Sequence, residues 1–129
     1  MTSYVPFAIL SQWRNLMSAA NYDLVIDQGS SFLIDLTIRE AGALKNLTGY
    51  SARAQMRSTK TAASVAGTFT CTIHGAATDG VVRMALPPAT SSAMAAGLYH
   101  YDLEIFTNND ITVKRLIEGK VTLNQEVTR

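Results

Sequence analysis

The sequence predicts an all-β protein: a two-sheet antiparallel sandwich of about seven strands, preceded by a short N-terminal helical arm. From residue 22 onward, apolar and polar residues alternate with a period of two, which is typical of half-buried strands. Turn-forming residues separate the alternating runs at regular spacing, as in two-layer β proteins. The 129 residues of the chain suffice for one such domain.

Residues 1–20 form a predicted arm that is partly helical, and residues 21–129 form the predicted sandwich. The stretch from Phe7 to Met17 contains no glycine or proline, and an apolar residue recurs at every third position, as on one side of a helix. These interface candidates are Phe7, Leu10, Trp13 and Leu16, with Met17 beside them. The helix packs on its own domain or docks its Trp13 side on a neighbouring subunit. A third alternative is that translation starts at Met17.

Seven alternating runs predict the strands of the sandwich. They cover residues 23–26, 32–39, 50–57, 68–74, 81–86, 99–106 and 111–127. In the last run Val113, Ile117, Val121 and Leu123 are expected on one face, with Gly119 as a bulge or bend.

Turn signals between these runs support the same architecture. Glycine, asparagine or aspartate clusters at 27–30, 40–42, 79–80 and 108–110 favour tight turns. After Pro87 and Pro88, residues 90–96 suit one helical turn that Gly97 ends. Immunoglobulin-like sandwiches place a crossover here and a tyrosine corner just after it, for which Tyr99 is the first candidate and Tyr101 the second. We therefore expect an immunoglobulin-like sandwich, with a small β-barrel as the alternative.

The composition argues against several classes of partner. The chain has 11 Lys and Arg against 10 Asp and Glu, a net charge of +1, and it has no basic run, so we expect no nucleic-acid partner. It also lacks an apolar run of about 18 residues, so we expect no membrane span. One cysteine cannot form an internal disulfide.

A search for catalytic, cofactor or metal chemistry finds no constellation. Cys71 falls on the apolar side of its strand and is expected to fill the core. His74 and His100 fall on the polar sides of separate strands, and a zinc site needs three or four converging ligands. Asp102 and Glu104 are neighbours on one solvated face, unlike the paired acids of a glycosidase cleft. The sequence therefore predicts no enzyme, no cofactor and no metal.

One cationic stripe is a further interface candidate. Arg53 and Arg57 lie four positions apart on the polar side of their strand, with Lys60 beyond. Without interleaved aromatic residues this is a weak nucleic-acid signal, so a solvated face or a protein interface is expected instead.

Five segments, in order, resemble a family of small structural proteins of tailed bacteriophages and prophages. Its hallmarks are an opening strand with a Gln-Gly-[Ser/Thr]-x-Phe turn, a Leu-Thr-Gly-Tyr turn, a basic strand, an Ala-Gly-x-Tyr-x-Tyr-Asp-Leu-Glu strand and an Arg-Leu-x-Glu-Gly-x-Val-Thr close. In this chain they are residues 22–32, 47–50, 52–57, 96–104 and 115–122. Members usually start just before the first strand, so residues 1–20 are additional, and the longer insertions of baseplate relatives are missing.

The resemblance implies a non-enzymatic, immunoglobulin-like domain of the virion, assembled in the host cytoplasm, usually in the tail, baseplate or fibre. It implies other virion proteins as partners and a homo-oligomer, with a trimer favoured. A capsid decoration protein is one alternative, and a carbohydrate-binding host-recognition module is another. The carbohydrate module would need a row of exposed aromatic residues, whereas most aromatics fall on inward positions and Phe106 is the outward exception. The inward ones are Phe32, Tyr50, Phe69, Tyr99 and Tyr101.

Overall fold

A computed structural model describes residues 2–10, 20–40 and 42–128 of the chain. The described part is mostly strand, with one short helix, α1 (Pro88–Ser92), and single 3-10 turns at Ala77–Asp79 and Asn108–Asp110. The strands are β1 (Thr2–Leu10), β2 (Ala20–Asn21), β3 (Leu24–Asp27), β4 (Ser31–Glu40), β5 (Ala43–Leu44), β6 (Ser51–Arg57), β7 (Gly67–Ile73), β8 (Val81–Leu86), β9 (Gly97–Phe106) and β10 (Val113–Asn124). The predicted all-β class is confirmed.

Each of the seven alternating runs corresponds to a strand, because period-two patterning defines a buried and an exposed side in advance. The clearest case is β4, where buried and half-buried residues alternate from Ser31 to Ile38. The runs match β3, β4, β6, β7, β8, β9 and β10.

The described strands hydrogen-bond in one continuous path that curls into a half-barrel. The order is β1-β4-β8-β7-β6-β9-β10-β2, with β3 also beside β10 and β5 beside β4. Strand β7 joins the two halves of the path, because Gly67–Phe69 pairs with β6 while Thr70–Ile73 pairs with β8. The predicted division into two separate sheets is therefore not confirmed.

The inner side of this curled sheet carries the hydrophobic core. Phe69 lies at its centre, with ring centroids 6.2 Å from Phe32 and 6.1 Å from Tyr101. Aliphatic side chains from both halves surround these rings and are removed from solvent, which is the main source of stability for a chain without an internal disulfide. The largest fully buried ones are Ile26, Ile34, Leu36, Ile38, Leu47, Met56, Met84, Leu86, Leu103, Ile105, Leu116 and Ile117.

The last strand differs from its prediction at two positions. A bulge between Arg115 and Ile117 shifts the register with β9, so consecutive residues Leu116 and Ile117 both face the core. The alternation changes side there, and Val113, which was expected inside, is exposed. The bulge is not at Gly119, which instead lets the backbone of Tyr22 approach so closely that a Cβ would collide with its carbonyl oxygen.

The arm also differs from its prediction where the structure describes it. Residues 2–10 form strand β1, parallel to β4, so the helix expected from Phe7 is wrong as far as Leu10. The reason lies in the sequence around Pro6, where tyrosine, valine, phenylalanine and isoleucine favour extended backbone, and β4 offers an edge for them to pair with. The pairing register shifts between Val5 and Ala8, around Pro6, which has no N–H to donate. The remaining arm candidates Trp13, Leu16 and Met17 lie outside the described residues.

The predicted turns form where the sequence places them. Gly29 and Gly80 both adopt positive φ, and Asn109 and Asp110 adopt left-handed conformations at the β9–β10 hairpin tip. The helical turn begins at Pro88, two residues before its predicted start, because proline is favoured at the first position of a helix.

Candidate functional site

The outer side of β6, β9 and β10 brings most of the charged candidates into one surface, which we call the charged face. Strand pairing arranges its side chains in cross-strand rows, because residues opposite each other on neighbouring strands share a face. The rows are Arg53–Glu104–Arg115, Gln55–Asp102–Glu118 and Arg57–His100–Lys120. The first two rows together border an open groove of about 390 Å³ with Arg57, Lys60 and His100 at its side.

Arg53 is fixed at one end of the charged face. Its Nε donates a hydrogen bond to Glu104 Oε1, and its Nη1 lies 3.4 Å from Asp110 Oδ1 at the hairpin tip. The guanidinium carbon lies 4.2 Å from the ring centroid of Phe106, within cation–π range. Arg53 therefore links two acidic groups and covers the outward-facing aromatic ring.

Arg115 organises the acidic groups in the middle of the face. Its Nε lies 3.2 Å from Asp102 Oδ2, and its Nη1 lies 3.7 Å from Glu118 Oε1. Partial burial raises the pKa of Asp102, and nearby Glu104 and Glu118 act in the same direction against the charge of Arg115. These carboxylates form a mutually compensated network on a solvated face, as the sequence predicted for Asp102 and Glu104.

Arg57 supports its own loop. Its Nη1 donates hydrogen bonds to the carbonyl oxygens of Ala62 and Ala63 at 3.0 and 3.1 Å, and its Nη2 lies 3.3 Å from Gln55 Oε1. The residues between β6 and β7 are thereby tied back to the sheet. Arg57 has no carboxylate among its hydrogen-bond partners, in contrast to Arg53.

The other half of the sheet carries one strong ion pair. Arg83 on β8 donates to both carboxylate oxygens of Asp35 on β4, at 2.8 and 2.9 Å, and also lies 3.3 Å from the Nε2 of His74. The hydrogen bonds from Arg83 hold the pKa of Asp35 below its ordinary value. This row is the counterpart of the charged face on the other half of the sheet.

The single cysteine lies where the sequence predicted. Cys71 is partly buried against the core, and burial raises the pKa of its thiol to about 12. The thiolate that a nucleophile requires is therefore absent at neutral pH. Among the described residues, no cluster of three or more His, Cys, Asp or Glu could hold a metal ion, and no helix is long and apolar enough to cross a membrane.

The sequence-predicted interface residues do not converge on one site. Arg53 and Arg57 share the charged face, whereas β1, which contains Phe7 and Leu10, pairs with β4 at the far end of the strand order.

Two features of the site were missed in the sequence. Tyr101 donates a hydrogen bond from its buried hydroxyl to the carbonyl oxygen of Tyr22, which ties the segment before β3 to β9. Val25 and Leu98 are exposed on the outer side, although Val25 lies in a predicted strand and Leu98 directly precedes one. Each lies opposite Thr122 of β10, so the three form one more row beside the charged face. The polar residue Thr122 was the sign in the sequence that this row faces outward.

Comparison with known proteins identifies a similar fold. No family model matches this chain, and no curated protein matches it in sequence. Among solved structures, the N-terminal domain of phage TP901-1 ORF48 matches with a TM-score of 0.58 and 13% identity, over 95% of this chain and 99% of that domain. At this identity the match establishes a shared fold.

Two protease inhibitors give weaker structural matches. The cysteine protease inhibitor EhICP2 of Entamoeba histolytica has a TM-score of 0.43 and 15% identity, over 94% of this chain and 96% of the inhibitor. PbICP-C, solved in complex with falcipain-2, has a TM-score of 0.46 and 11% identity, over 95% of this chain and 100% of that one. Both scores are too low to support an inference about this chain.

Proposed function

We propose that this chain is a non-enzymatic structural protein of a tailed-bacteriophage virion and serves as an assembly module of the tail. The observation that carries the proposal is the fold shared with a phage domain over 95% of this chain and 99% of that domain. The five ordered motifs between residues 22 and 122 support it independently, because they are features of the sequence and do not depend on the fold comparison.

We further propose that the curled sheet is an open form of an immunoglobulin-like sandwich. Three observations support this. Strand β3 runs parallel to β10, β7 passes from one half of the sheet to the other, and the Tyr99 hydroxyl donates to the carbonyl oxygen of Ala95 four residues upstream. The contact between Tyr99 and Ala95 has the form of a tyrosine corner, and Tyr99 was the first candidate for that role in the sequence.

The chemistry of the charged face favours assembly over catalysis or sugar binding. Asp102 and Glu104 border the open groove, but each is held by an arginine, which supports a contact surface over a catalytic acid pair. Phe106, the outward ring on this face, already has Arg53 over its ring, which argues against its use as a sugar-stacking platform. A face that combines paired acidic groups with exposed apolar neighbours is suited to contact with another protein.

The proposal is tested on the particle itself. Virions of the encoding phage are purified on a density gradient and their proteins are identified by peptide mass spectrometry. We expect this chain in the virion band at a fixed ratio to a tail protein. Its presence in the lysate and absence from the band would overturn the proposal. Gold-labelled antibody separates a tail position from the capsid position of a decoration protein.

Within this proposal we expect a homo-oligomer, with a trimer favoured. Light scattering of the purified full-length chain gives the mass directly, and a chain starting at Met17 serves as its comparison. A smaller mass for the shortened chain would assign the contact to the arm. Monomers in both samples would remove the arm from the assembly contact.

A further inference from the structure

The positive charges of the described residues are distributed unevenly between paired and unpaired positions. Most lysines and arginines lie within 4 Å of a carboxylate, and these are Lys45, Arg53, Arg83, Lys114 and Arg115. The others have no carboxylate partner at that distance, and these are Arg39, Arg57, Lys60 and Lys120. Three of these four lie together at one end of the charged face.

The row Arg57–His100–Lys120 is the centre of this end. Arg57 on β6 and Lys120 on β10 each lie opposite His100 on β9. Lys60 lines the same groove as Arg57 and His100. Positive groups that lie together with no carboxylate within 4 Å repel each other in the free protein, so an anionic partner would relieve that repulsion.

The nearest acidic side chains are engaged elsewhere. Asp102 and Glu118, in the next row, both contact Arg115. Asp23 accepts a hydrogen bond from the backbone N–H of Lys120. The ammonium groups of Lys60 and Lys120 therefore remain available to a carboxylate from outside the chain.

An apolar row lies directly beside the cationic one. Val25 is 62% exposed and Leu98 is 53% exposed, and both lie opposite Thr122 on the same face. Thr122 lies two residues after Lys120 and Leu98 two residues before His100, so the two rows are neighbours. Exposed apolar side chains rimmed by polar ones are a common feature of protein–protein contacts.

We propose that these two rows form one docking surface for a segment of another virion protein that presents carboxylates beside an apolar side chain. We call it the cationic–apolar patch, and its residues are Val25, Arg57, Lys60, Leu98, His100, Lys120 and Thr122. The inference rests on the proposed virion function and adds the place and the chemistry of the contact. Arg57 is already fixed by Ala62 and Ala63, so little order is lost when a partner binds next to it.

The chemistry of the surroundings favours a protein over a nucleic acid. A phosphate backbone would follow a continuous positive track, whereas the row next to the patch contains Asp102 and Glu118. Those two acids repel a uniformly negative polymer and are compatible with a partner whose carboxylates are confined to the patch. The apolar side chains of Val25 and Leu98 also have no counterpart in a phosphate backbone.

The test measures incorporation of variants into virions. A phage lacking the gene is grown on cells that supply the full chain, and the amount per virion is measured by mass spectrometry. We expect the amount per virion of the double variant Lys60→Glu with Lys120→Glu to be lower than that of wild type by about tenfold or more. The double variant Lys60→Arg with Lys120→Arg keeps the charge and should stay within about twofold of wild type. Arg39→Glu changes an unpaired cation outside the patch and is the matched control. Its incorporation should also stay close to that of wild type.

The apolar half of the patch is tested by Leu98→Asp, which we expect to reduce incorporation, with Val113→Asp as a control at another exposed apolar position. Thermal unfolding of each purified variant shows whether folding is retained, as expected for exposed positions. Wild-type incorporation of the double glutamate variant, or of Leu98→Asp, would overturn the cationic–apolar patch. Absence of the wild-type chain itself from virions would overturn the proposed function instead, so the two failures are distinguishable.

Discussion

The hydroxyl of Tyr99 is a single group on which the corner before β9 depends. It donates to the carbonyl oxygen of Ala95, and the ring is buried. Tyr99→Phe keeps the ring and leaves that carbonyl without its partner, so we expect a loss of about 1 kcal/mol in the free energy of unfolding. Urea denaturation measures it. Tyr50→Phe is the control, because that half-buried ring contacts Lys45 through its face and should lose much less.

Cys71 gives a second prediction at the residue scale. Because burial raises its thiol pKa to about 12, we expect almost no reaction with a disulfide reagent at about pH 8 in the folded protein. The same reagent should react fully in denaturant. Rapid modification of the folded chain at this pH would show that the thiol is accessible and ionised, contrary to its position beside the core.

The ion pair between Asp35 and Arg83 makes stability depend on pH in one direction. The hydrogen bonds from Arg83 depress the pKa of Asp35 in the folded state from its ordinary value of 3.8. The stabilisation is therefore complete above that ordinary value and is lost as pH falls through the lower folded-state pKa.

Asp35→Asn tests this dependence, because asparagine does not titrate. We expect the variant to be less stable than wild type at neutral pH and to approach wild-type stability towards about pH 2. Denaturation curves over this range provide the measurement. A stability difference that stays constant on acidification would argue against the ion pair as its source.

At the scale of elements, the close passage of β10 under the segment before β3 depends on Gly119. A Cβ at this position would collide with the carbonyl oxygen of Tyr22, the same atom that accepts the hydrogen bond from Tyr101. We therefore expect Gly119→Ala to destabilise the protein by about 1–3 kcal/mol. The exposed neighbour Thr122→Ala should have a small effect by comparison, and equal thermal unfolding of the two variants would contradict this packing.

The strands show which elements the sequence could predict. Alternation in a run such as Ser31–Ile38 assigns a buried side from the residues themselves. The bulge at Leu116 broke that rule for Val113, although two consecutive apolar residues there were a visible sign of a register change. The two-residue strands β2 and β5 are too short to have a period. The apolar residues of β1 have a helical spacing. The strand forms nevertheless, because its residue types favour extended backbone and because it pairs with β4.

At the scale of the whole molecule, the sequence predicted the all-β class, but it did not predict how the strands join into one curled sheet. Whether β7 pairs with one neighbour or two depends on contacts with both β6 and β8, which no local pattern encodes. The contacts within the charged face could not be predicted from the sequence for the same reason. Arg53 and Glu104 are 51 positions apart in the chain, so the residue types were visible as candidates while their pairing was not.

The proposed virion role draws on all three scales. A chain with a partly buried cysteine, acidic groups held by arginines and a net charge of +1 is suited to contact with protein surfaces, and the unpaired cations beside Val25 and Leu98 provide one such surface. We therefore expect the chain to be a component of the phage particle.

A density map of the intact virion from electron cryomicroscopy tests this claim most directly. We expect density for the ten-stranded half-barrel at a repeated position in the tail, with the cationic–apolar patch against a neighbouring protein. A map that accounts for every tail and capsid subunit without this fold would contradict it.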